Sequence, residues 1–270
     1  MTAPLDESVY LAAQSDAQRA TDYPYAAPEG AFVLEAGRLA ALDDPALLAG
    51  RTAVLSVGSN RAPVQLHRKF GDGAIVPVTP AVLPDCDIVH AATVSYSGAV
   101  SCPAFPSRGT DVMLNVAWLD DSQLAIMQRT EAVGVAYDYV RMLTGTVTHL
   151  PVPAAGGDIV VAAQPVFGYC ARSGVLDLGA GQPGGLSRIP ARNRQFPTLA
   201  QDSVAALVQA FIVGVEPALD LGPDRDSFIG RVTGDKDCRL MVNRRLNDRA
   251  IHAAGPWKVQ CVEADDIAAF

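Results

Sequence analysis

The stretch NVAWLDDSQLAIMQRTE, residues 115–131, joins the end of a predicted strand to a capped helix. Residues 112–118 are mostly apolar and β-branched or aromatic, which favours a strand. Asp120 offers a side chain that can cap a helix, and residues 123–131 place apolar side chains three positions apart. Residues 137–143 then return to the alternation of a strand. This stretch therefore predicts the order strand, helix, strand.

The residues before this stretch add a strand, a loop and a helix. Residues 51–57 form a short β-branched run that ends at Gly58-Ser59-Asn60, which predicts a strand running into a glycine loop. Residues 63–70 resemble a helix, and strand signals follow at 75–78 and 88–96. The order predicts an α/β (α+β) fold, a mixed sheet or barrel with helices on one side.

The residue pattern changes twice along the chain, which predicts three segments. Residues 1–50 read as an N-terminal helical arm, with helices at 7–20 and 39–48. Residues 51–150 form the central domain. The sequence PVPAAGG, which begins at Pro151, marks the start of a C-terminal α/β extension over residues 151–270. There we predict strands at 159–171 and 175–178, joined as a hairpin, and a helix at 198–214.

Composition excludes several functional classes. The 270-residue chain carries a formal charge of -8 and 49% hydrophobic residues, so it is large enough for an extended core and unsuited to a nucleic-acid polyanion. No apolar stretch approaches the ~20 residues that cross a bilayer. Its acidic start and lack of a following apolar region lead us to expect no export and a cytoplasmic location.

Cysteine and histidine spacing gives no sign of a metal or disulfide framework. The five cysteines and four histidines are widely spread, with no C-x-x-C pair. We therefore predict no metal site and no cofactor.

The Gly58-Ser59-Asn60 loop is the strongest local motif. Backbone N–H groups in such a turn can converge on a carboxylate or an oxyanion, and glycine allows a ligand to approach the backbone. The alternative is an ordinary strand-to-helix turn, in which Ser59 or Asn60 caps the helix.

Together, the strand ending in Val57-Gly58-Ser59-Asn60 and the segment from Asn115 through Glu131 to Tyr137 resemble the γ-glutamyl cyclotransferase (AIG2-like) family, over roughly residues 52–143. The resemblance implies a barrel of that type. It also implies that Glu131 is the catalytic acid/base, and that Val57, Gly58, Ser59 and Asn60 line the substrate loop. The sequence departs from the family pattern at two positions. Val57 stands where the family usually has Tyr, and Ala132 directly follows the glutamate.

Two tyrosines complete the predicted substrate site. Tyr96 lies on the strand that would line the barrel in the resembling family. Of Tyr137 and Tyr139, we expect only one to face Glu131, and we choose Tyr137 because it matches the family's tyrosine. The predicted partner is a small molecule with a carboxylate, with neither nucleic acid nor membrane, and a homo-oligomer is possible.

Three other motifs favour structural interpretations. Residues 175–184 contain G-x-G-x-x-G and resemble a methyltransferase motif, but Pro183 and Pro190 break the helix that should follow, so we predict a hairpin over 175–189 without a nucleotide pocket. Cys102 with His90 could be a nucleophile pair, although a buried free thiol is the commoner outcome. The last motif is a set of arginines that could bind an acidic group or a partner, for which we favour a solvated surface: Arg188, Arg192, Arg194, Arg244 and Arg245.

Three functional hypotheses remain open at this point. The favoured one is a cyclotransferase-like enzyme acting on a small γ-glutamyl amine or related amide. The second is a protein of small-amide or urea metabolism, related to a domain of allophanate hydrolases. The third is a non-catalytic binding or assembly protein of the same fold.

Overall fold

The chain folds around one large mixed sheet with flanking helices. The computed structural model describes residues 5–261. The strands are β1 (Phe32–Glu35), β2 (Arg38–Ala40), β3 (Thr52–Ser56), β4 (Ile75–Ile88), β5 (Ala104–Leu119), β6 (Tyr137–Met142), β7 (Thr148–His149), β8 (Val166–Ala171), β9 (Gly185–Leu186), β10 (Ala191–Arg192), β11 (Thr198–Leu199) and β12 (Trp257–Val259). The helices are α1 (Glu7–Tyr10), α2 (Asp16–Thr21), α3 (Pro63–Phe70), α4 (Asp121–Thr130), α5 (Gln201–Val215), α6 (Arg225–Gly234) and α7 (Lys236–Asn247), with 3-10 turns at Pro45–Leu48 and Ser59–Arg61.

The sheet is mixed and its strand order is an open path. The order is β12-β6-β8-β3-β5-β4-β1-β2, with β10 paired to β5 and β7 paired to β4. Strands β3 and β8 are parallel, whereas the other pairs of this sheet are antiparallel. Between residues 5 and 261 no pairing joins β12 to β2. The prediction of a mixed sheet with helices is confirmed, but the strand pairing does not close a barrel.

All three predicted segments contribute strands to this sheet. Strand β8, from the C-terminal segment, lies between β6 and β3. Strands β1 and β2, from the N-terminal segment, extend the sheet beyond β4. The N-terminal arm is therefore not the wholly helical segment that we predicted. Residues 39–48 do not form the predicted single helix. Ala36 and Gly37 both take positive φ and turn the chain into a two-residue hairpin, so that β2 begins at Arg38, and only Pro45–Leu48 form a 3-10 turn.

Strand β4 extends far beyond the predicted 75–78 and forms a long hairpin with β5. The pairing runs from Val78 opposite Ala117 to Ile88 opposite Ala104, with an irregularity at Asp85. The second strand predicted here, 88–96, is wrong. The chain leaves the sheet after Ile88 and makes a turn in which Ser95 N–H donates to the Ala99 carbonyl, 2.8 Å away.

The hairpin predicted over residues 175–189 is also wrong. Val175 pairs with Ala91 and Ile251 instead, and β9 pairs with β11. The glycine-rich stretch is a turn held by Asp177, whose Oδ1 accepts the N–H groups of Gly179 at 2.7 Å and Gly181 at 3.0 Å. The chain after this turn forms short strands and no helix before α5, which agrees with the expectation that the two prolines prevent one.

One face of the sheet positions the candidate site. Helices α3 and α4 pack there over Val54, Ala117 and Tyr139 through their buried residues Leu66 and Met127. Leu55 belongs to the core on the opposite face, as expected for alternation along β3. A separate apolar cluster joins α5, α6 and α7. In the part of the chain described here, no helix has the length and apolarity needed to cross a bilayer.

Candidate functional site

The glycine loop and the glutamate meet, although 71 residues separate them. Asn60 Nδ2 donates to Glu131 Oε1 across 3.0 Å. The register places Ser56, the last residue of β3, opposite Asn115 of β5. Helix α4 begins just beyond β5 and spans 10 residues, or about 15 Å at 1.5 Å per residue. This length is sufficient to return the chain to the level of the loop after β3.

The ends of α4 are fixed by local sequence. Asp120 Oδ1 accepts the Gln123 N–H at 2.9 Å, and Gln123 Oε1 accepts the Asp120 N–H at 3.1 Å, which completes a capping box. Glu131 is the C-terminal cap, and Ala132 ends the helix with a φ of 50°. The position of the glutamate thus follows from where the helix starts and stops.

A lysine that sequence reasoning missed holds the same carboxylate. Lys69, in the last turn of α3, forms an ion pair with Glu131 Oε1. Its ammonium also donates to Thr130 Oγ1 at 2.9 Å. The side chains of Lys69 and Glu131 are only 6% and 15% exposed. The Glu131 carboxyl group is therefore largely shielded and contacts one cation and one amide.

Tyrosines surround this carboxylate. Burial raises the pKa of Tyr137 above its ordinary range, and the nearby Glu131 carboxylate raises it further. Burial, followed by Glu131, also raises the pKa of Tyr169. Both phenols therefore remain protonated and able to donate. The Tyr169 hydroxyl has no hydrogen-bond partner in the described chain. Our expectation that Tyr137 and Tyr139 point to different faces was wrong, since residues two apart on a strand share a face and both pack in one cluster.

Tyr23 of the N-terminal segment covers Gly58. A Cβ placed on Gly58 would lie 2.1 Å from the Tyr23 hydroxyl and 3.1 Å from Tyr23 Cζ. That hydroxyl accepts the Cys102 N–H at 3.2 Å. Burial raises the pKa of Tyr23, and the nearby Cys102, Tyr137 and Glu131 raise it further. The close approach that requires glycine here is thus made by Tyr23.

We expect Gly58→Ala to lower the free energy of unfolding by about 1–3 kcal/mol, because the added methyl group overpacks a buried contact. Chemical denaturation would measure the change. Gly73→Ala is the matched control, since nothing lies within 4 Å of a Cβ at Gly73. Combining Gly58→Ala with Tyr23→Ala should remove much of the penalty. An unchanged penalty in the double variant would show that Tyr23 is not its cause.

The other loop residues differ in what they face. The N–H groups of Ser59 and Asn60 donate to no acceptor within residues 5–261, so they are available to a ligand. Val57 instead points to the opposite face, where it lines an apolar cavity of about 10 Å³ with Leu55 and Trp257. That volume holds about one water molecule. The side chain of Val57 therefore does not face Glu131.

Tyr96 does not lie on a strand that would carry it to the site around Glu131. It is 62% exposed in the turn that follows β4, and its hydroxyl accepts from Arg19 at 3.0 Å. The predicted location of Tyr96 on a lining strand is therefore wrong, because the strand ends at Ile88.

Cys102 and His90 do lie together, in a form that does not activate the thiol. Cys102 Sγ lies 3.4 Å from His90 Nδ1, and both residues are buried. Burial raises the pKa of the Cys102 thiol and lowers the pKa of His90 to about 4. Both groups are consequently neutral near pH 7, and the pair lacks the thiolate that nucleophilic attack requires.

One arginine of the predicted solvated set is largely shielded instead, with a side chain 14% exposed. Arg194 Nε lies 2.9 Å from Asp87 Oδ2, and the Asp87 side chain is fully buried. Arg188 donates to the Asp22 carbonyl at 3.0 Å. The interpretation of a solvated surface is thus wrong for Arg194.

Within residues 5–261, no three His, Cys, Asp or Glu side chains form a group able to hold a metal ion. Comparison with known proteins finds no matching family model, no matching curated protein and no matching solved structure.

Proposed function

We propose that this chain is a γ-glutamyl cyclotransferase-like enzyme acting on a small γ-glutamyl amine or related amide, with Glu131 as general acid/base. The observation that carries the proposal is the 3.0 Å hydrogen bond from Asn60 in the glycine loop to the Glu131 carboxylate. A fold with the glutamate on an outer surface, away from this loop, would have argued against it. The proposal includes a strand arrangement of that family's type around the site.

The proposed reaction needs proton transfer and little else. The α-amine of a γ-glutamyl amine attacks its own γ-carbonyl, so that a lactam C–N bond forms and the amide C–N bond breaks. Both reacting groups belong to one molecule, so the protein gains most by holding it in the reactive conformation. Glu131 takes the proton from the attacking nitrogen and returns it to the departing amine. The products are 5-oxoproline and the free amine.

Neighbouring groups support each step. Asn60 and Lys69 hold the carboxylate at one oxygen, Oε1, which leaves Oε2 for the substrate proton. The N–H groups of Ser59 and Asn60 have no described acceptor and can stabilise the oxyanion that develops on the carbonyl. Tyr169 places an unpartnered hydroxyl near the same carboxylate.

A second candidate, a non-catalytic binding protein, is favoured by Tyr23. Its hydroxyl lies against Gly58, where a ligand would otherwise approach the backbone. In that case the side chains around Glu131 would bind a small molecule without turning it over, because Tyr23 keeps the molecule from the backbone at Gly58. The link to small-amide or urea metabolism differs from the leading proposal in both substrate and chemistry, because it places a different reaction on a related fold.

A substrate screen separates these candidates. Purified protein would be incubated with γ-glutamyl dipeptides, γ-glutamyl amines and small ureido acids, and released amine or ammonia measured. We expect amine release with formation of 5-oxoproline from a γ-glutamyl compound. Release of ammonia from ureido acids alone would favour the urea-related alternative. Lack of turnover of every compound would make the binding protein the better interpretation.

A further inference from the structure

Arg61 is a buried cation that forms no salt bridge within the described residues. It directly follows Asn60 in the glycine loop and is 7% exposed. Its Nε donates to the Asn115 Oδ1 at 2.8 Å. In the described part of the chain its guanidinium forms no salt bridge and donates no other hydrogen bond. The outer nitrogens of the guanidinium fork thus have no protein acceptor.

The other buried cations of the described chain are paired. Lys69 contacts Glu131, and Arg194 contacts Asp87. Burial lowers the pKa of Arg61 to about 10, against a smaller opposing effect of the Glu29 charge. The guanidinium therefore remains charged at neutral pH. A charge taken out of water without a partner is strongly unfavourable, so an anion at this position would offset a large cost.

Two further polar atoms beside Arg61 are unsatisfied. Asn115 Nδ2 and Ser56 Oγ are buried and have no hydrogen-bond partner among residues 5–261. Ser56 and Asn115 are direct cross-strand partners, which brings their side chains within about 5 Å of each other. Since Arg61 bonds the amide oxygen of the same Asn115, all three groups lie at one place. Guanidinium, amide and hydroxyl are hydrogen-bond donors suited to an oxyanion.

We propose that Arg61, Asn115 and Ser56 form a subsite for a carboxylate of the substrate. This inference rests on the proposed function and deepens it, because it assigns recognition of the anion to side chains rather than to the loop amides alone. Arg61 directly follows Asn60, which donates to the Glu131 carboxylate, so the subsite lies next to the glycine loop in the chain. The outer N–H groups of the planar guanidinium fork would donate to both carboxylate oxygens.

Calorimetric titration with glutarate and glutaramide tests the subsite without requiring turnover. The two probes share a carbon chain, but only glutarate carries charge. We expect the wild type to bind glutarate and not glutaramide, and Arg61→Met to weaken glutarate binding by tenfold or more. Arg108→Met is the matched control, since Arg108 is an exposed arginine elsewhere in the chain. Its binding should equal that of the wild type.

Asn115→Asp is the sharper variant because it keeps the arginine. The new carboxylate would lie where the amide oxygen now accepts from Arg61, and would pair with the guanidinium internally. We expect this variant to fold, to unfold at the same or higher temperature than the wild type, and to lose glutarate binding. Asn115→Asp thus shows whether glutarate binding is lost in a folded protein. If Arg61→Met also loses binding, a folding defect is then not needed to explain that loss.

The outcomes of these titrations either support or overturn the proposed subsite. Glutarate binding that survives both Arg61→Met and Asn115→Asp would overturn the subsite, as would a wild type that binds neither glutarate nor inorganic phosphate. Binding of phosphate alone would overturn the assignment to a carboxylate. If glutarate binding depends on Arg61 while every amide in the screen is inert, the subsite stands and the proposed enzymatic function fails.

Discussion

Glu131→Gln is expected to reduce turnover of the accepted amide by about a hundredfold or more, the usual contribution of general acid–base catalysis. The substitution preserves size but removes the group that takes up the proton. The chain should still fold, because a glutamine Oε1 can accept from both Asn60 and Lys69, which now donate to the glutamate. Steady-state kinetics on the substrate found in the screen would measure the change.

The matched control for this prediction is Asp121→Asn, which removes a carboxylate from the exposed first turn of the same helix. Its activity should stay within a few-fold of wild type. Glutarate binding should persist in Glu131→Gln, since the proposed anion subsite does not include the glutamate. Activity of Glu131→Gln close to that of the wild type would show that the glutamate has a structural role and would remove the proposed mechanism.

Local signals were sufficient for the helices that frame the site. The Asp120 cap and the apolar spacing after it predicted α4, and Pro63 at the first helical position is consistent with the predicted α3. The predicted helix at 198–214 corresponds to α5, whose bounds are Gln201–Val215. In each case the information lies within about a dozen residues, because capping and amphipathic spacing act over one or two turns.

Strands held by distant partners were predicted less well. Strand β1 is mostly buried, but it is a strand because it pairs with the start of β4, at least 40 residues away. Strand β8 enters between β6 and β3, and its start at Val166 is set by its pairing with Ala53 rather than by its own sequence. The predicted strand 159–171 began too early for this reason. Propensity in a short strand is weak compared with the packing of its neighbours.

The site was predicted in part, and its missing members have a common cause. Resemblance to a family pointed to Asn60 and Glu131, which the structure brings within hydrogen-bond distance. No sequence pattern pointed to Lys69, because a lysine in an amphipathic helix is ordinarily solvated. Its burial depends on how α3 crosses α4. Tyr23 lies in a loop whose contact with Gly58 depends on tertiary packing. The position of Arg61 directly after the Gly58-Ser59-Asn60 motif could have marked it as a candidate, but its burial could not be predicted from the sequence.

Lys69→Met is expected to produce the largest loss of stability, because it leaves the Glu131 carboxylate shielded without a cation. Breaking a buried ion pair from one side typically costs 3–5 kcal/mol, and here both side chains are largely buried. Asn60 would then be the only described side chain donating to the carboxylate. Denaturant unfolding monitored by circular dichroism would measure the free energy. Lys258→Met, at an exposed position in β12, is the control and should have little effect.

The double variant Lys69→Met with Glu131→Gln identifies the cause of that loss. If the cost arises from the unpaired carboxylate, removing its charge should recover most of the stability, so the double variant should be more stable than Lys69→Met alone. A loss arising from the lysine's contacts with Thr130 and Met127 would persist in the double variant. Recovery would establish that α3 and α4 hold the glutamate as a charged group. That is the state from which it must accept a proton in the proposed reaction.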